Sequence, residues 1–213
     1  MSAQPVNRRS VLLTLIALCG LGAASRGLAQ TPTDRAARDA QAELFVQTEG
    51  QKMLTVLGDR GLKKADKEAA FRRMLDQVVD YPRVTGFVLG KYARIITPAQ
   101  RQQFNGVFRT YLQSLYQSHL ADFRGNVLKV TGSVVRAPGD TLVNSVVTGG
   151  GAPLPVSCRV MGPAGALKVV DVQARGVWLA ITLQQDFVST IDNAGGDVAV
   201  LITRLQRETA RRG

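Results

Sequence analysis

A catalytic reading has to start from His119, the single histidine of the chain, and from its two cysteines, Cys19 and Cys158. A serine or cysteine nucleophile needs an adjacent base, and the only imidazole available for that work is at position 119. A zinc site built from Cys and His needs three or four ligands, which these few residues do not assemble. Asp76 and Asp80 stand four apart, a spacing that on a helix gives one solvated face rather than an acid/base pair. Gly149-Gly150-Gly151 lacks the following Lys and the strand-to-helix setting of a phosphate-cradling loop, and reads as a hairpin loop. Nucleic-acid binding calls for a basic stripe interleaved with exposed aromatics, whereas Phe104, Phe108 and Tyr111 recur at core spacing. The expectation is therefore binding rather than catalysis, with no catalytic residue, cofactor, metal or nucleic-acid partner. A small hydrolase using His119 is the catalytic alternative, and it requires His119→Ala to abolish ester turnover.

The elements that would position a binding site follow from hydrophobic period. Residues 33–59 carry Leu44, Phe45, Met53, Leu54 and Leu57 at roughly helical spacing, and Gly58 and Gly61 mark the exit. Phe71, Met74, Leu75 and Val78 give a second helix over 66–79, and a short helix over 84–92 comes after Pro82. Thr97-Pro98 is a helix start, a capping Thr before Pro at the first helical position. From there to 120, Phe104, Val107, Phe108, Tyr111, Leu112 and Leu115 form a wide apolar stripe. Past Gly125 the pattern changes to strands over 127–135, 142–147, 156–161 and 167–174, separated by Gly/Pro turns. Their connections are too short for parallel crossovers, so they predict an antiparallel meander. Two closing helices, 179–191 and 197–207, flank Gly195-Gly196. The fold class expected is α+β, helices covering one face of a four-stranded antiparallel sheet.

The start of the chain reads as an address. Arg8 and Arg9 precede the apolar run VLLTLIALCGLGAA, and Gly27-Leu28-Ala29 supplies a small-x-small cleavage signal. The expected organisation is a cleavable signal peptide over 1–29 and a single domain over 30–213, exported by the Sec route or, given the arginine pair, by twin-arginine export. An uncleaved anchor is the alternative, but the run is short for a membrane span. Lipidation at Cys19 is disfavoured by Leu18, where a small residue is expected. Cleavage leaves Cys158 alone, with no internal disulfide. The 213-residue chain carries a formal net charge of +11, and loss of Arg8, Arg9 and Arg26 leaves +8 on 30–213. Such a balance favours anionic partners such as lipid headgroups and membrane surfaces.

The order of several short segments resembles the MlaC-like toluene-tolerance proteins. The likeness runs through Asp80-Tyr81-Pro82-Arg83-Val84, Val88-Leu89-Gly90-Lys91-Tyr92 and Thr97-Pro98-Ala99-Gln100-Arg101, then Phe104, Phe108, Leu112 and Tyr116. A second block, Leu167-Lys168-Val169-Val170-Asp171-Val172 with Gly176-Val177, is similar to the family's WKVYDV…EGVS segment, and Phe187 and Gly195-Gly196 match the family's tail. Together these span about residues 40–205. Leu167 stands where the family has Trp, Trp178 where it has Ser, and Gln184 where it often has Arg. These departures bear on ligand identity, and the hopanoid-associated HpnM-like branch resembles the same family.

The resemblance implies a periplasmic lipid carrier of an ABC-type transport system, a monomer with a lipid in an apolar cavity between a curved sheet and its helices. The implied partners are a phospholipid or other membrane lipid, an inner-membrane ABC transporter complex and an outer-membrane lipoprotein complex. The candidate lining is Phe87, Val88, Phe104, Phe108, Tyr111, Val130, Val134, Val143, Val156, Val172 and Trp178. Lys91, Arg94 and Arg101 are candidates for headgroup or partner contact. For any one apolar candidate taken singly, ordinary core packing is the favoured reading, and the resemblance alone points to a cavity wall. A docking protein that carries no lipid is the competing reading, and it requires a filled core.

Overall fold

The first helix begins later than its periodicity suggests, because Asp39 stops it. In the computed structural model, which describes residues 38–120 and 127–212 (only the backbone of 116–120), α1 spans Ala40–Gly58. Asp39 Oδ1 accepts from the backbone N–H of Gln41 and Ala42, and its Oδ2 accepts from Thr141 Oγ1. This N-cap satisfies helix donors that would otherwise be orphaned. Residues 1–29, expected to be a leader, and the side chain of His119 lie outside the described residues.

Helix α2 spans Lys64–Val78. The chain then leaves helical geometry at Val79 and pairs there with Val169, Asp80 N–H donating to the Val169 carbonyl at 3.0 Å. Helix α3 spans Tyr81–Val88, three residues earlier than the expected start at 84. Asp80 caps it by accepting from Arg83 N–H, and Pro82 sits in the first turn, where its missing donor costs nothing. The expected single helix to 92 is broken, and a separate 3₁₀ turn occupies Gly90–Arg94. Gly90 is the reason. Its φ is +53°, and a Cβ there would lie 2.8 Å from Val188 Cγ2. Gly90→Ala should therefore cost about 1–3 kcal/mol through backbone strain and overpacking, read as a lowered denaturation midpoint with unchanged m-value.

Helix α4 spans Pro98–Leu120 and opens on a reciprocal capping box. Gln100 N–H donates to Thr97 Oγ1, and Thr97 N–H donates to Gln100 Oε1. The sheet is the expected antiparallel meander in the order β1 to β5: Val127–Ala137, Asp140–Thr148, Leu154–Met161, Lys168–Ala174 and a short addition, Val177–Trp178. That fifth strand pairs Gln173 with Trp178 and leads directly into α5, Leu179–Asn193; α6, Val198–Arg212, closes the chain.

Two breaks in register matter. In β1, Val130 pairs with Ser145 and Gly132 with Asn144, which leaves Thr131 as an extra residue. A bulge exchanges the two faces of a strand. Leu128 and Val130 point to the α1 side before it, and Ser133 does so after it. In β4, Arg159 pairs with Asp171 and Val160 with Val169, leaving Val170 as the extra residue.

Helix α1 lies along the free edge of β1. Asp39, Glu43, Gln47 and Gln51 form a stripe at steps of four that bonds to the sheet: Asp39 N–H donates to Ser133 Oγ, and that hydroxyl donates to Glu43. Gln47 bridges the Leu128 carbonyl and the Val130 N–H, and Gln51 accepts from Leu128 N–H. Polar side chains thus satisfy an edge that would otherwise template aggregation. Beneath the stripe, Ala42 and Val46 pack on Val143 and Val160, and Leu54 packs on Leu128 and Val147. A separate, larger core joins α3, α4, α5 and α6.

On the sheet face away from α1, Arg159 donates twice to Asp140, at 2.9 and 2.7 Å. The guanidinium holds the Asp140 carboxyl below its ordinary range. This contribution to stability is present above the ordinary carboxylate pKa and is lost as pH falls through the depressed folded value. Asp171 has the opposite sign, because burial raises its pKa; ionised Asp171 is a liability at neutral pH that is relieved on acidification. Asp140→Asn should lower Tm at pH 7 and shallow the acid limb of the stability curve, whereas Asp171→Asn should leave Tm level or raise it. Thermal melts from neutral pH to below about pH 4 read both.

Candidate functional site

The helical core and the α1-covered sheet meet in a seam rather than merging. Val79 and Val84 reach it from either side of the α2–α3 junction, Leu112 from α4, and Leu179, Ala180 and Leu183 from the first turns of α5. The opposite wall is β4, from Val169 to Val172. The extra residue Val170 joins the helical core while Val172 stays on the sheet side.

Between these walls lies a cavity of about 40 Å³. Among the described residues that line it, the single ionisable group is Asp171. Oδ1 of that residue accepts from Val172 N–H and Ala180 N–H, both at 2.8 Å. The residue before α5, Trp178, makes no side-chain cap, so Asp171 supplies the cap from the neighbouring strand and favours the positive end of the helix. The carboxylate is thereby committed to structure, and the remaining lining is aliphatic. Such a surface has van der Waals contact and exclusion of water to offer, not bond chemistry. No group of three His, Cys, Asp or Glu side chains able to hold a metal ion occurs among the described residues. Cys158 packs with Val143 and Val160 under α1, and burial pushes its thiol up to about 12, so it stays protonated and inert.

Of the eleven sequence-derived candidates, the structure brings Val172 to the cavity wall. Phe104, Phe108 and Tyr111 pack one layer behind Leu112, around Phe187. Phe104 stacks on Phe108 at 5.7 Å, and both meet the Phe187 ring edge-on at 6.2 and 6.1 Å. Val88 is fully buried in the same core, and Val143 is fully buried beneath α1. Val130 and Val156 are half-buried on the α1 side of the sheet, and Trp178 is half-buried in β5. Phe87 is 40% exposed on the outside of α3. Val134 is 37% exposed and lies on the face opposite to α1, because the bulge at Thr131 reverses the alternation that would have turned it inward. Sequence reasoning passed over Leu179, Ala180, Leu183 and Asp171 as lining. The signal for the first three was the start of the α5 stripe; nothing in the sequence placed that stripe against β4.

This arrangement, a curved meander edged by helices with an aliphatic seam between, matches known proteins. The family model described as MlaC protein matches residues 47–207. The chain belongs to the MlaC family. A curated relative within reach of sequence comparison is the toluene tolerance protein ttg2D of Pseudomonas putida, 27% identical over 144 residues, 67% of this chain and 67% of that one. Among solved structures, the phospholipid-binding protein from Ralstonia solanacearum, determined in complex with a phospholipid, is 28% identical. It superposes with a TM-score of 0.67 over 82% of this chain and 98% of its own. As a ligand site the seam is narrow: pockets for small molecules run to about 300–1,000 Å³, whereas 40 Å³ accommodates little more than water.

Proposed function

We propose that this MlaC-family protein is a periplasmic lipid carrier that takes the acyl chains of a two-chain lipid into the seam between β4 and helices α4 and α5. The reading rests on one observation above the others: Asp171, the one ionisable group among the described residues of the seam, is already consumed in capping α5. The walls are thus suited to hydrocarbon, with the headgroup left at the mouth. Exposing some thirty methylenes to water costs on the order of 20 kcal/mol at about 0.8 kcal/mol each. A lipid crossing an aqueous gap needs that surface covered, and the carrier's work is to replace water with Val, Leu and Ala.

Uptake requires the seam to widen. Two features favour this. The helical core and the sheet core beneath α1 are separate clusters, joined at β4 mainly through Val170 and the Asp80–Val169 bond, so widening the seam disturbs little of either. Helix α1 meets the sheet through side-chain hydrogen bonds, which water can replace at a small net cost, above a narrow apolar contact made by Ala42, Val46 and Leu54. As the seam opens, Val130 and Val156 on the sheet side join Val172 on one wall, and α4 presents Leu112 with Phe108 and Tyr111 behind it on the other. The family supports a role in an ABC-type transport system that moves lipid between inner and outer membranes, and the leader at 1–29 supports export.

Native mass spectrometry of gently purified protein tests the carrier role. A bound two-chain lipid, recovered by solvent extraction, is the expected result. Repeated preparations free of lipid that also fail to acquire it from liposomes would refute the proposal.

A further inference from the structure

We infer that the outer side of the α3–α5 pair is a docking surface for an anionic bilayer. Its apolar part is built from residues that the fold leaves uncovered. Gln184 Nε2 donates to the Phe87 carbonyl at 2.6 Å, Gly90 abuts Val188, and Lys91 reaches Asp192 at 2.7 Å, so α3 and the 3₁₀ turn track α5 in register. Ile181 lies one helical turn before Gln184, the residue that bonds to the Phe87 carbonyl. Ile181 is 42% exposed, Phe87 40%, Val177 in β5 58%, and Ile95 at the end of the 3₁₀ turn 68%. These four large apolar side chains are spaced along the α3–α5 pair, from Val177 before α5 to Ile95 past the 3₁₀ turn, and each offers apolar area to a flat partner that spans the pair.

Charge says what covers them. Arg94 and Arg175 flank the strip and have no acidic partner among the described residues. Arg101 lies beside Arg94, its guanidinium on the Ala93 carbonyl. Of the acids near this edge, Asp192 is occupied by Lys91 and by Tyr92, and Asp197, next to Gly196, accepts from the Ala199 N–H at the start of α6. Apolar side chains rimmed by cations fit the boundary between acyl chains and anionic headgroups. Backbone strain adds an independent observation. Arg175 has φ +51°, the single non-glycine residue in the left-handed region among the described residues, at a turn where Gly or Asn would sit without penalty. A strained position is held by a long cation in the turn that feeds α5.

The geometry couples docking to cargo. Helix α5 carries Leu179, Ala180 and Leu183 on the seam and Ile181 on the outer strip. A membrane that engages the outside of α5 thus sits one helix diameter from the lipid chains. This purpose rests on the carrier reading; the surface itself does not.

Full-length mature protein should co-sediment with vesicles containing phosphatidylglycerol, and far less with pure phosphatidylcholine or in high salt. Ile95→Ser/Ile181→Ser should weaken that binding about tenfold or more, because the term scales with apolar area removed from water. Arg175→Gly should also weaken it while raising Tm by a few degrees, since glycine relieves the turn. Lipid content by native mass spectrometry is expected to be unchanged in all three proteins. Wild-type protein that ignores anionic vesicles, as a protein-docking surface would, overturns the inference, as does wild-type-like binding by the double variant. Cargo-free protein that still binds vesicles would sink the carrier role and leave the docking surface standing.

Discussion

Phe187→Ala should cost about 3–5 kcal/mol of stability, the largest single-residue effect expected in this molecule. Phe187 is fully buried, and its ring is the common neighbour of Phe104, Phe108 and Tyr111, two of which meet it edge-on. Truncation removes the ring's burial, leaves a cavity at the centre of the helical core, and forfeits two favourable aromatic geometries. Set against a total stability of roughly 5–15 kcal/mol, the loss takes a large fraction, and Tm should fall by ten degrees or more. Urea titration followed by circular dichroism measures it. Phe87→Ala is the control. It removes the same side-chain atoms from a partly exposed position on α3 and should change the midpoint by a small part of that amount. Equal effects from the two substitutions would contradict the packing described.

Val172→Phe should separate lipid binding from stability. Val172 is half-buried on β4 and faces a cavity of about 40 Å³. A phenyl ring there occupies the space into which acyl chains would pass. In the closed protein the added atoms gain contacts that the valine lacks, so Tm should hold or rise slightly. In the lipid-bound protein the same atoms clash with the ligand, and overpacking of about 1–3 kcal/mol corresponds to roughly a ten- to hundredfold loss of affinity. The measurement is lipid retained per protein after gel filtration, alongside a melt of the same sample. Val146→Phe, on the outer face of β2 between Lys129 and Pro155, enlarges a side chain by the same amount away from the seam and should keep its lipid. Full lipid content in Val172→Phe would place the cargo elsewhere.

Burial of Phe104, Phe108 and Leu112 is legible from spacing alone, because residues three and four apart on a helix share one side. The order of elements is legible in the same way: an apolar period near 3.6 to residue 120, then alternation broken by Gly and Pro, then 3.6 again. Capping chemistry marks one boundary in advance, since Thr97-Pro98 with Gln100 can close a capping box wherever the helix packs. Short connections between strands dictate an antiparallel meander.

Which buried residues face a cavity is not legible, for a reason that holds beyond this chain. Periodicity says that a side chain leaves water; it does not say what it meets. Phe108 and Leu112 are on one stripe, yet Phe108 packs into a filled aromatic cluster and Leu112 borders the seam. Strands add a second obstacle. One extra residue at Thr131 reverses the positions from Gly132 to Val135, up to the next register shift at Arg136, so Val134 reads inward and lies outward. Neither bulge has a residue signature of its own here; each is set by pairing with a strand distant in sequence. Asp171 is the sharpest case. As a residue type in a strand it reads as an ordinary polar position, and only the return of the chain through β5 brings the Ala180 N–H to its carboxylate. The elements, their order and their apolar faces could be read from the residues in a row, because those features depend on neighbours along the chain. The seam, the cap that occupies its carboxylate, and the uncovered strip on α5 came only with the folded arrangement, because each depends on two segments meeting that no local pattern can relate.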